Sequence, residues 1–202
     1  MVGFVEVTPG EHAWRAVQAA NYMVIHCLWV VGQGKNKGYG SRLLNACMED
    51  AQQAGRHGVV MVTSHGNWLA GSKLLLKNGF EAIDQAPPSF ELLVKRFGDA
   101  PLPAFPTDWD ERLRRYGSGL TVVYANQCPY FDNAIQIVTE TAAERGMETQ
   151  IIQLESSRQV QDAAPSAYGV FGVVHNGKLL TYHYAIKKDM VELLDKCEGR
   201  AS

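Results

Sequence analysis

The stretch Val30–Leu44, VVGQGKNKGYGSRLL, decides the fold of the first half of this chain. Residues 22–31, at its amino end, are almost all apolar and predict a buried strand. Residues 43–51 carry apolar side chains at helical spacing, and Gly55 ends the run. The sequence therefore predicts a strand that leads into a glycine-rich loop, and a helix that starts from that loop.

This loop has the composition of an anion-binding site. Glycines let several backbone N–H groups turn toward one point, and the helix dipole adds about half a positive charge there. Lys35 and Lys37 supply two mobile positive charges. No register gives the Gly-x-x-x-x-Gly-Lys-Ser/Thr of a nucleotide P-loop, and a dinucleotide fingerprint fails because Lys37 takes its third glycine position. Two interpretations remain. The loop binds a different phosphate ligand, or it is a plain glycine-rich turn between core elements.

The spacing Lys35-x-x-Gly38-x-Gly40 resembles the acetyl-CoA pyrophosphate loop of the GNAT acetyltransferases. That family usually has Gln or Arg at the first position, so Lys35 keeps a charge but loses the planar fork of Arg. A strand at 59–63, a helix that ends at Lys77 and the pair Gly79-Phe80 follow in the family's order, and the likeness extends over residues 20–97. It implies acetyl-CoA as cosubstrate, with the acetyl group aligned by backbone near Leu28 and Val30. The residues that it implies for CoA binding are Leu28, Val30, Lys35, Asn36, Lys37, Gly38, Tyr39, Gly40, Ser41 and Asn67.

Amine acetylation needs a base for the amine proton, N–H donors for the acyl oxygen and stabilisation of the CoA thiolate. His26, on the predicted central strand, is the first candidate for the base, and His65, just after the next strand, is the second. A hydrogen-bonded structural role is the alternative for each histidine, and water can also take the proton.

The thiolate side departs from the family pattern. The family often places a tyrosine acid four residues before the Gly of Gly-Phe, where this chain has Leu75. Either Ser72 or water protonates the thiolate, or the thiolate leaves unprotonated, or the domain binds CoA without efficient transfer.

The beginning of the chain departs as well. Residues 2–7 and 13–17 predict two short strands before the strand at 22–31. A GNAT domain normally begins with a further strand and two helices that help to cover the acceptor site. The resemblance therefore implies an open acceptor side, a homodimer or other partner that covers it, or a shortened domain.

The second half predicts a separate unit. Residues 98–117 combine three prolines with a short charged helix at 108–116 and predict a linker. Strands at 120–124 and 148–154, helices at 132–145 and 157–164, a hairpin turn at 175–178 and a closing helix at 187–197 follow. This order resembles thioredoxin and glutaredoxin domains, with Cys128-Pro129-Tyr130 at the active-site turn and Pro165 where a cis-proline is usual. The whole chain resembles the YoaP-like acetyltransferases.

The expected fold class is α/β (α+β), in two domains. Residues 1–97 form a truncated GNAT-like mixed sheet with helices on both faces. Residues 98–117 form a proline-rich linker with a short helix, and residues 118–202 form a smaller thioredoxin-like α/β domain.

Cys128 is the candidate reactive thiol of the second domain, because a helix N-terminus favours the thiolate. Phe131 takes the position of a resolving cysteine, which leaves a mixed disulfide with glutathione as the redox chemistry open to this site. An idle cysteine in an inherited fold is the alternative.

Composition narrows the classes of function. The formal net charge of −2 gives no basic surplus for nucleic acid or an anionic membrane. No apolar run reaches the ~20 residues of a membrane helix. The four cysteines have no metal-site spacing, so we expect a cytoplasmic protein with reduced thiols and no metal. The leading hypothesis is an N-acetyltransferase that acts on a small amine in a ternary complex with acetyl-CoA. A non-catalytic CoA-binding module and a monothiol glutaredoxin-like protein are the alternatives.

Overall fold

The computed structural model of this protein describes residues 2–65 and 69–199. The chain divides into two compact units, Met1–Thr107 and Asp108–Ser202. Within the described residues, no helix is both long and apolar enough to cross a membrane.

The first unit is a mixed sheet with two helices. Its elements are β1 (Gly3–Pro9), β2 (Met23–Val30), α1 (Tyr39–Gln53), β3 (Gly58–Ser64), α2 (Ser72–Lys77), β4 (Glu81–Ala86) and β5 (Phe90–Arg96). The strand order is β1-β2-β3-β5-β4, in which β2 and β3 are parallel and the other pairs antiparallel. The predicted strand, loop and helix are thus confirmed. Because β2 and β3 are parallel, their carboxyl ends lie at the same end of the sheet.

One hydrophobic cluster holds both helices against the sheet. Leu44 and Cys47 of α1 share this cluster with Leu75 of α2. Ile25 of β2 and Met61 of β3 complete its centre. The two described helices therefore pack into the same core, whereas the prediction placed helices on both faces of the sheet.

Residues 13–17, predicted as a short strand, do not form one. The chain makes a 3-10 turn at Gly10–His12 and continues through bends to an isolated bridge between Gln18 and Ala104. The side chain of Arg15 is buried and donates to the carbonyl of His26. A buried polar side chain with its own acceptor replaces the alternating face that a strand needs.

The first part of the predicted linker is packed into the first unit. Tyr22 Oη donates to the carbonyl of Pro101, and the N–H of Phe105 donates to Asp84 Oδ2. Phe105 is buried. The N–H of Phe105 therefore has an acceptor and its ring is buried. This part of the predicted linker thus packs into the first unit.

The second unit starts within the same predicted linker. Helix α3 (Trp109–Arg114) has a buried arginine, Arg112, that donates to the carbonyl of Gln161. Tyr116 Oη donates to the carbonyl of Ala163. The charged helix therefore belongs to the second unit. The predicted domain limits at 97 and 118 concern independent folding, and they stay predictions.

The rest of the second unit follows the predicted order. Its further elements are β6 (Leu120–Tyr124), α4 (Phe131–Ala143), β7 (Thr149–Gln153), α5 (Ser157–Ala163), β8 (Phe171–His175), β9 (Lys178–Thr181) and α6 (Lys187–Glu198). The sheet order is β7-β6-β8-β9, with β6 parallel to β7 and the other pairs antiparallel. Asn176 and Gly177 have the positive φ angles of the predicted Asn-Gly turn. The bond before Pro165 is not cis; among the described residues, the cis bond is Pro87–Pro88.

Candidate active site

A bulge interrupts β2 at His26. Glu6 pairs with Cys27 and Val7 pairs with Ile25, so His26 is an extra residue opposite β1. Such a bulge bends the strand and increases its local twist.

Beyond this bulge, β2 and β3 no longer pair with each other. Their register covers Met23 to Ile25 against Val59 to Met61, although β2 continues to Val30 and β3 continues to Ser64. In the described chain, residues 28–30 thus have a pairing strand on the β1 side only. The result is an open backbone edge at the carboxyl end of β2, next to the carboxyl end of β3.

The glycine-rich loop follows the carboxyl end of β2, next to this open backbone edge. It begins with a 3-10 turn at Gly32–Gly34, and Gly38 precedes α1 in the left-handed conformation, with φ of 79°. Lys35, Asn36 and Lys37 are all exposed. This arrangement places two exposed cationic side chains near the start of the helix.

The first turn of α1 has unused donors. Within the residues that the structure describes, the N–H groups of Gly38, Tyr39, Gly40 and Ser41 have no hydrogen-bond acceptor. No side chain caps this end, and the first turn carries no acidic residue. Free N–H groups and the positive end of the helix dipole together suit an anion.

The two glycines of the predicted motif have different surroundings. A Cβ atom on Gly38 would meet nothing within 4 Å, whereas one on Gly40 would lie 2.8 Å from Leu74 Cδ2. Gly40 therefore lets α1 and α2 approach each other, and Gly38 borders open space at the start of α1.

The other side chains predicted for this site are structural or lie elsewhere. Leu28 packs against the core cluster and Val30 pairs with Gly3. Tyr39 lies under the guanidinium of Arg42, 5.9 Å from its ring centre. Asn67 is outside the described residues.

His26, the first candidate for the base, is held in a fixed and buried position. Its side chain is 6% exposed, and its Nε2 accepts the N–H of Trp14 at 3.2 Å. Its carbonyl accepts Arg15 Nη2 at 2.7 Å. Burial, followed by the charge of Arg15, lowers the pKa of His26 to about 3. The prediction that His26 acts as the base is therefore in conflict with the geometry, because its acceptor nitrogen is occupied and its ring stays neutral near pH 7.

His65, the second candidate, lies one residue beyond β3 and is open to solvent. Its side chain is 74% exposed, and its Nε2 lies 3.7 Å from Oε2 of Glu91, which is 20% exposed. Ser64 Oγ and Ser89 Oγ, 3.0 Å apart, join the end of β3 to the turn between β4 and β5. An imidazole that is accessible and faces a carboxylate has the surroundings of a general base.

The positions on α2 agree with a site that lacks a tyrosine acid. Leu75 is fully buried, with 0% exposure, in the core cluster. Ser72 is half-buried at the first position of the helix. Leu75 thus serves packing alone, and Ser72 remains a candidate proton donor on position only.

Cys128 lies three residues before α4 and is partly exposed. Its carbonyl accepts the N–H of Phe131, whose ring stacks on Phe171 at 5.1 Å. The position of a resolving cysteine is therefore filled by a core aromatic residue. Within the described residues, no cluster of three or more His, Cys, Asp or Glu could hold a metal ion.

Sequence reasoning missed three residues of this region, Trp14, Arg15 and Glu91. Trp14 and Arg15 hold the bulge at His26, and Glu91 faces His65. A signal for Arg15 was present, because a charged residue between Ala13 and Val17 does not fit a buried strand. Glu91 had no local signal, since its contact with His65 depends on the register of β3 and β5.

Comparison with known proteins agrees with this geometry. Residues 1–80 match the model of the acetyltransferase (GNAT) family. The chain is 32% identical over 182 residues to the uncharacterized N-acetyltransferase YoaP of Bacillus subtilis (strain 168), a match that covers 89% of this chain and 72% of YoaP.

Two solved structures are also similar to the chain. One is the PaiA N-acetyltransferase of Thermoplasma acidophilum in complex with coenzyme A, 21% identical, with 48% of this chain and 54% of that chain covered at a TM-score of 0.39. The other is the GNAT family N-acetyltransferase YhbS of Escherichia coli in complex with CoA, 16% identical, with 52% and 61% covered at a TM-score of 0.38. The match thus spans about half the length of PaiA. The family assignment rests on the match to YoaP, and the family model over residues 1–80 agrees with it. The chain belongs to the acetyltransferase (GNAT) family.

Proposed function

We propose that this protein transfers the acetyl group of acetyl-CoA to a small amine by direct attack in a ternary complex. One observation carries the proposal: an open backbone edge on β2 and the unused N–H groups of α1 lie at the same end of the sheet. The backbone of the open edge can bind an acyl group, and the unused N–H groups of α1 can bind a pyrophosphate.

The CoA end of the site uses charge and free donors. The N–H groups of residues 38–41 point from a helix N-terminus, where a pyrophosphate gains from both hydrogen bonds and the dipole. Lys35 and Lys37 lie on the exposed loop and add two cations. The residues present therefore fit the charged part of acetyl-CoA.

The reacting end uses the open edge and His65. The backbone of residues 28–30 would donate to the acyl oxygen as negative charge develops on it. His65 would take one proton from the protonated amine, and Glu91 would stabilise the imidazolium that forms. The amine nitrogen then bonds to the acyl carbon while the carbon–sulfur bond breaks. The second amine proton leaves to solvent, and CoA leaves as a thiolate that solvent or Ser72 protonates.

Calorimetric titration with acetyl-CoA tests the pyrophosphate site. Gly38→Val puts a branched side chain into the open space at the start of α1, so we expect acetyl-CoA affinity to fall at least about tenfold. Gly55→Val is the matched control: Gly55 also has a positive φ and open space around it, but it lies after α1.

If the folded Gly38→Val and Gly55→Val variants bind acetyl-CoA with equal affinity, the loop is not the pyrophosphate site. Release of CoA with a panel of amines then separates an enzyme from a non-catalytic CoA-binding module. Binding without amine-dependent release would favour the module.

We also propose that the second unit is a thioredoxin-like domain. Its parallel pair β6–β7, continued by antiparallel β8 and β9, and the partly exposed thiol of Cys128 before α4 support the proposal. Cys128 makes a monothiol redox function the second candidate for this chain.

A further inference from the structure

A pocket of about 390 Å³ lies beside the turn that joins β4 to β5. His65 and Glu91 line it at the end of the sheet where β3 finishes. The site proposed for the base is thus one wall of a cavity and not an isolated pair of side chains.

The charges around this pocket are one-sided. Glu91 is its carboxylate, and His65 is the group that can take up a proton. No lysine or arginine is among the described residues that line it. A cation therefore finds a partner in this pocket, whereas a carboxylate on a ligand would meet Glu91 without a compensating cation.

The remaining lining combines apolar and polar groups. Pro87 and Pro88 are exposed and form the apolar part of the wall, Gln85 and Ser89 add neutral polar groups, and the side chain of Phe90 is buried. Apolar surface with a few placed polar groups is typical of sites for small organic ligands. A polyamine would place its further charges against the two prolines, at the cost of their hydration.

Glu91 is held in place by the sheet. It pairs with Thr63 of β3, whose Oγ1 donates to the Glu91 carbonyl at 3.4 Å. Its carboxylate is mostly buried, and it faces the exposed ring of His65 at 3.7 Å. A protonated amine on this carboxylate would therefore lie beside the imidazole that accepts its proton.

We infer that this pocket binds the acceptor, and that the acceptor is a monoamine with an apolar substituent and no carboxylate. The inference rests on the proposed acetyl transfer for its reaction, and on the pocket alone for its ligand. Glu91 recognises the ammonium group, and the wall formed by Pro87 and Pro88 holds the substituent. One proton passes from the amine to His65, the new carbon–nitrogen bond forms, the second amine proton leaves to solvent, and CoA leaves with the electron pair of the carbon–sulfur bond.

Three probes separate the ligand classes: phenethylamine, phenylalanine and spermidine. Phenylalanine differs from phenethylamine by its carboxylate alone, and spermidine adds charge in place of the ring. We expect phenethylamine to have at least about tenfold higher kcat/KM than either, because each competitor leaves a charge unpaired.

Two variants test the role of Glu91. Glu91→Gln removes the charge at constant size, and we expect the KM for phenethylamine to rise about tenfold with acetyl-CoA affinity unchanged. Glu81→Gln, an exposed position on β4 outside the pocket, is the matched control and should keep the wild-type KM.

Calorimetric titration of phenethylamine into the full chain, with and without CoA, tests the pocket independently of turnover. Binding that is lost in Glu91→Gln supports the inference even where no acetyl transfer occurs, and such a result would count against the proposed function alone. Acetyl transfer that treats phenylalanine and phenethylamine alike, or that is indifferent to Glu91→Gln, would overturn the inference and leave the proposed function standing. Absence of amine binding in both titrations would also overturn it.

Discussion

One histidine lies within β2 and another lies just after β3, and their surroundings are opposite. His26 sits in the bulge of β2 with 6% of its side chain exposed, and its Nε2 accepts the N–H of Trp14. His65 follows β3 with 74% of its side chain exposed, and it faces Glu91. The two residues are chemically identical and belong to neighbouring parts of one sheet, β2 and the end of β3.

The difference teaches that the contacts of a histidine, and not its place on a central strand, decide its chemistry. Burial lowers the pKa of His26 to about 3, so its ring stays neutral and acts as a hydrogen-bond acceptor. That role fixes the bulge, and with it the open edge of β2. His65 has the access that a proton acceptor needs. The contrast between His26 and His65 can be tested by substitution and by pH.

The largest effect should come from His65. His65→Gln removes the proposed base, and we expect turnover of acetyl-CoA with an amine to fall about a hundredfold or more. His26→Gln keeps an acceptor for Trp14 and should cost less than about tenfold. Coupled detection of released CoA measures both.

Acetyl-CoA affinity, which neither substitution should change, is the control for a misfolded variant. The contrast is wrong if His26→Gln lowers turnover as strongly as His65→Gln while both variants bind acetyl-CoA normally.

A smaller effect concerns stability in acid. The pKa of His26 is about 3 in the folded protein and about 6.5 in the unfolded chain, so the unfolded chain binds the extra proton between these values. The free energy of unfolding should therefore fall by about 1.4 kcal/mol per pH unit as the pH drops below about 6.

His26→Gln has no such group and should show a shallower acid dependence in urea titrations. Parallel curves for the two proteins between pH 4 and 6 would mean that His26 is not buried in neutral form, and they would return it to the candidates for the base.

The smallest effect concerns the cysteines, which repeat the contrast of buried and exposed. Cys47 is buried in the core, and burial raises the pKa of its thiol to about 12. Cys128 is partly exposed, and so is Cys27, while Cys197 on α6 is exposed. In a Cys197→Ser background, iodoacetamide should modify Cys128 before Cys47, as read by mass spectrometry of the native protein. A Cys128 that labels no faster than Cys47 would end the redox candidate.

Much of the fold was predictable because its signals are local. The strand at Leu120–Tyr124 has the predicted bounds, since it is a short apolar run between a glycine and a turn. The turn at Asn176 and Gly177 follows from backbone conformations that those two residues adopt easily. The glycine-rich loop also lies where predicted, between β2 and α1.

The site was less predictable because its decisive contacts are long-range. Nothing in the residues next to His26 indicates that Trp14 and Arg15 fold back on it, since that depends on how residues 13–17 leave β1. The partner of His65 is likewise fixed by the pairing of β3 with β5. Sequence therefore predicted both histidines as candidates but ranked His26 first, whereas their contacts favour His65.

The pH dependence of kcat/KM tests the central claim most directly. For wild-type protein with acetyl-CoA and phenethylamine, we expect activity to fall on the acid side as the base takes up a proton, and His26→Gln should keep that limb. In His65→Gln, the remaining activity should lose this acid limb. An acid limb that is unchanged in His65→Gln but absent in His26→Gln would contradict the account and place the base in the buried bulge.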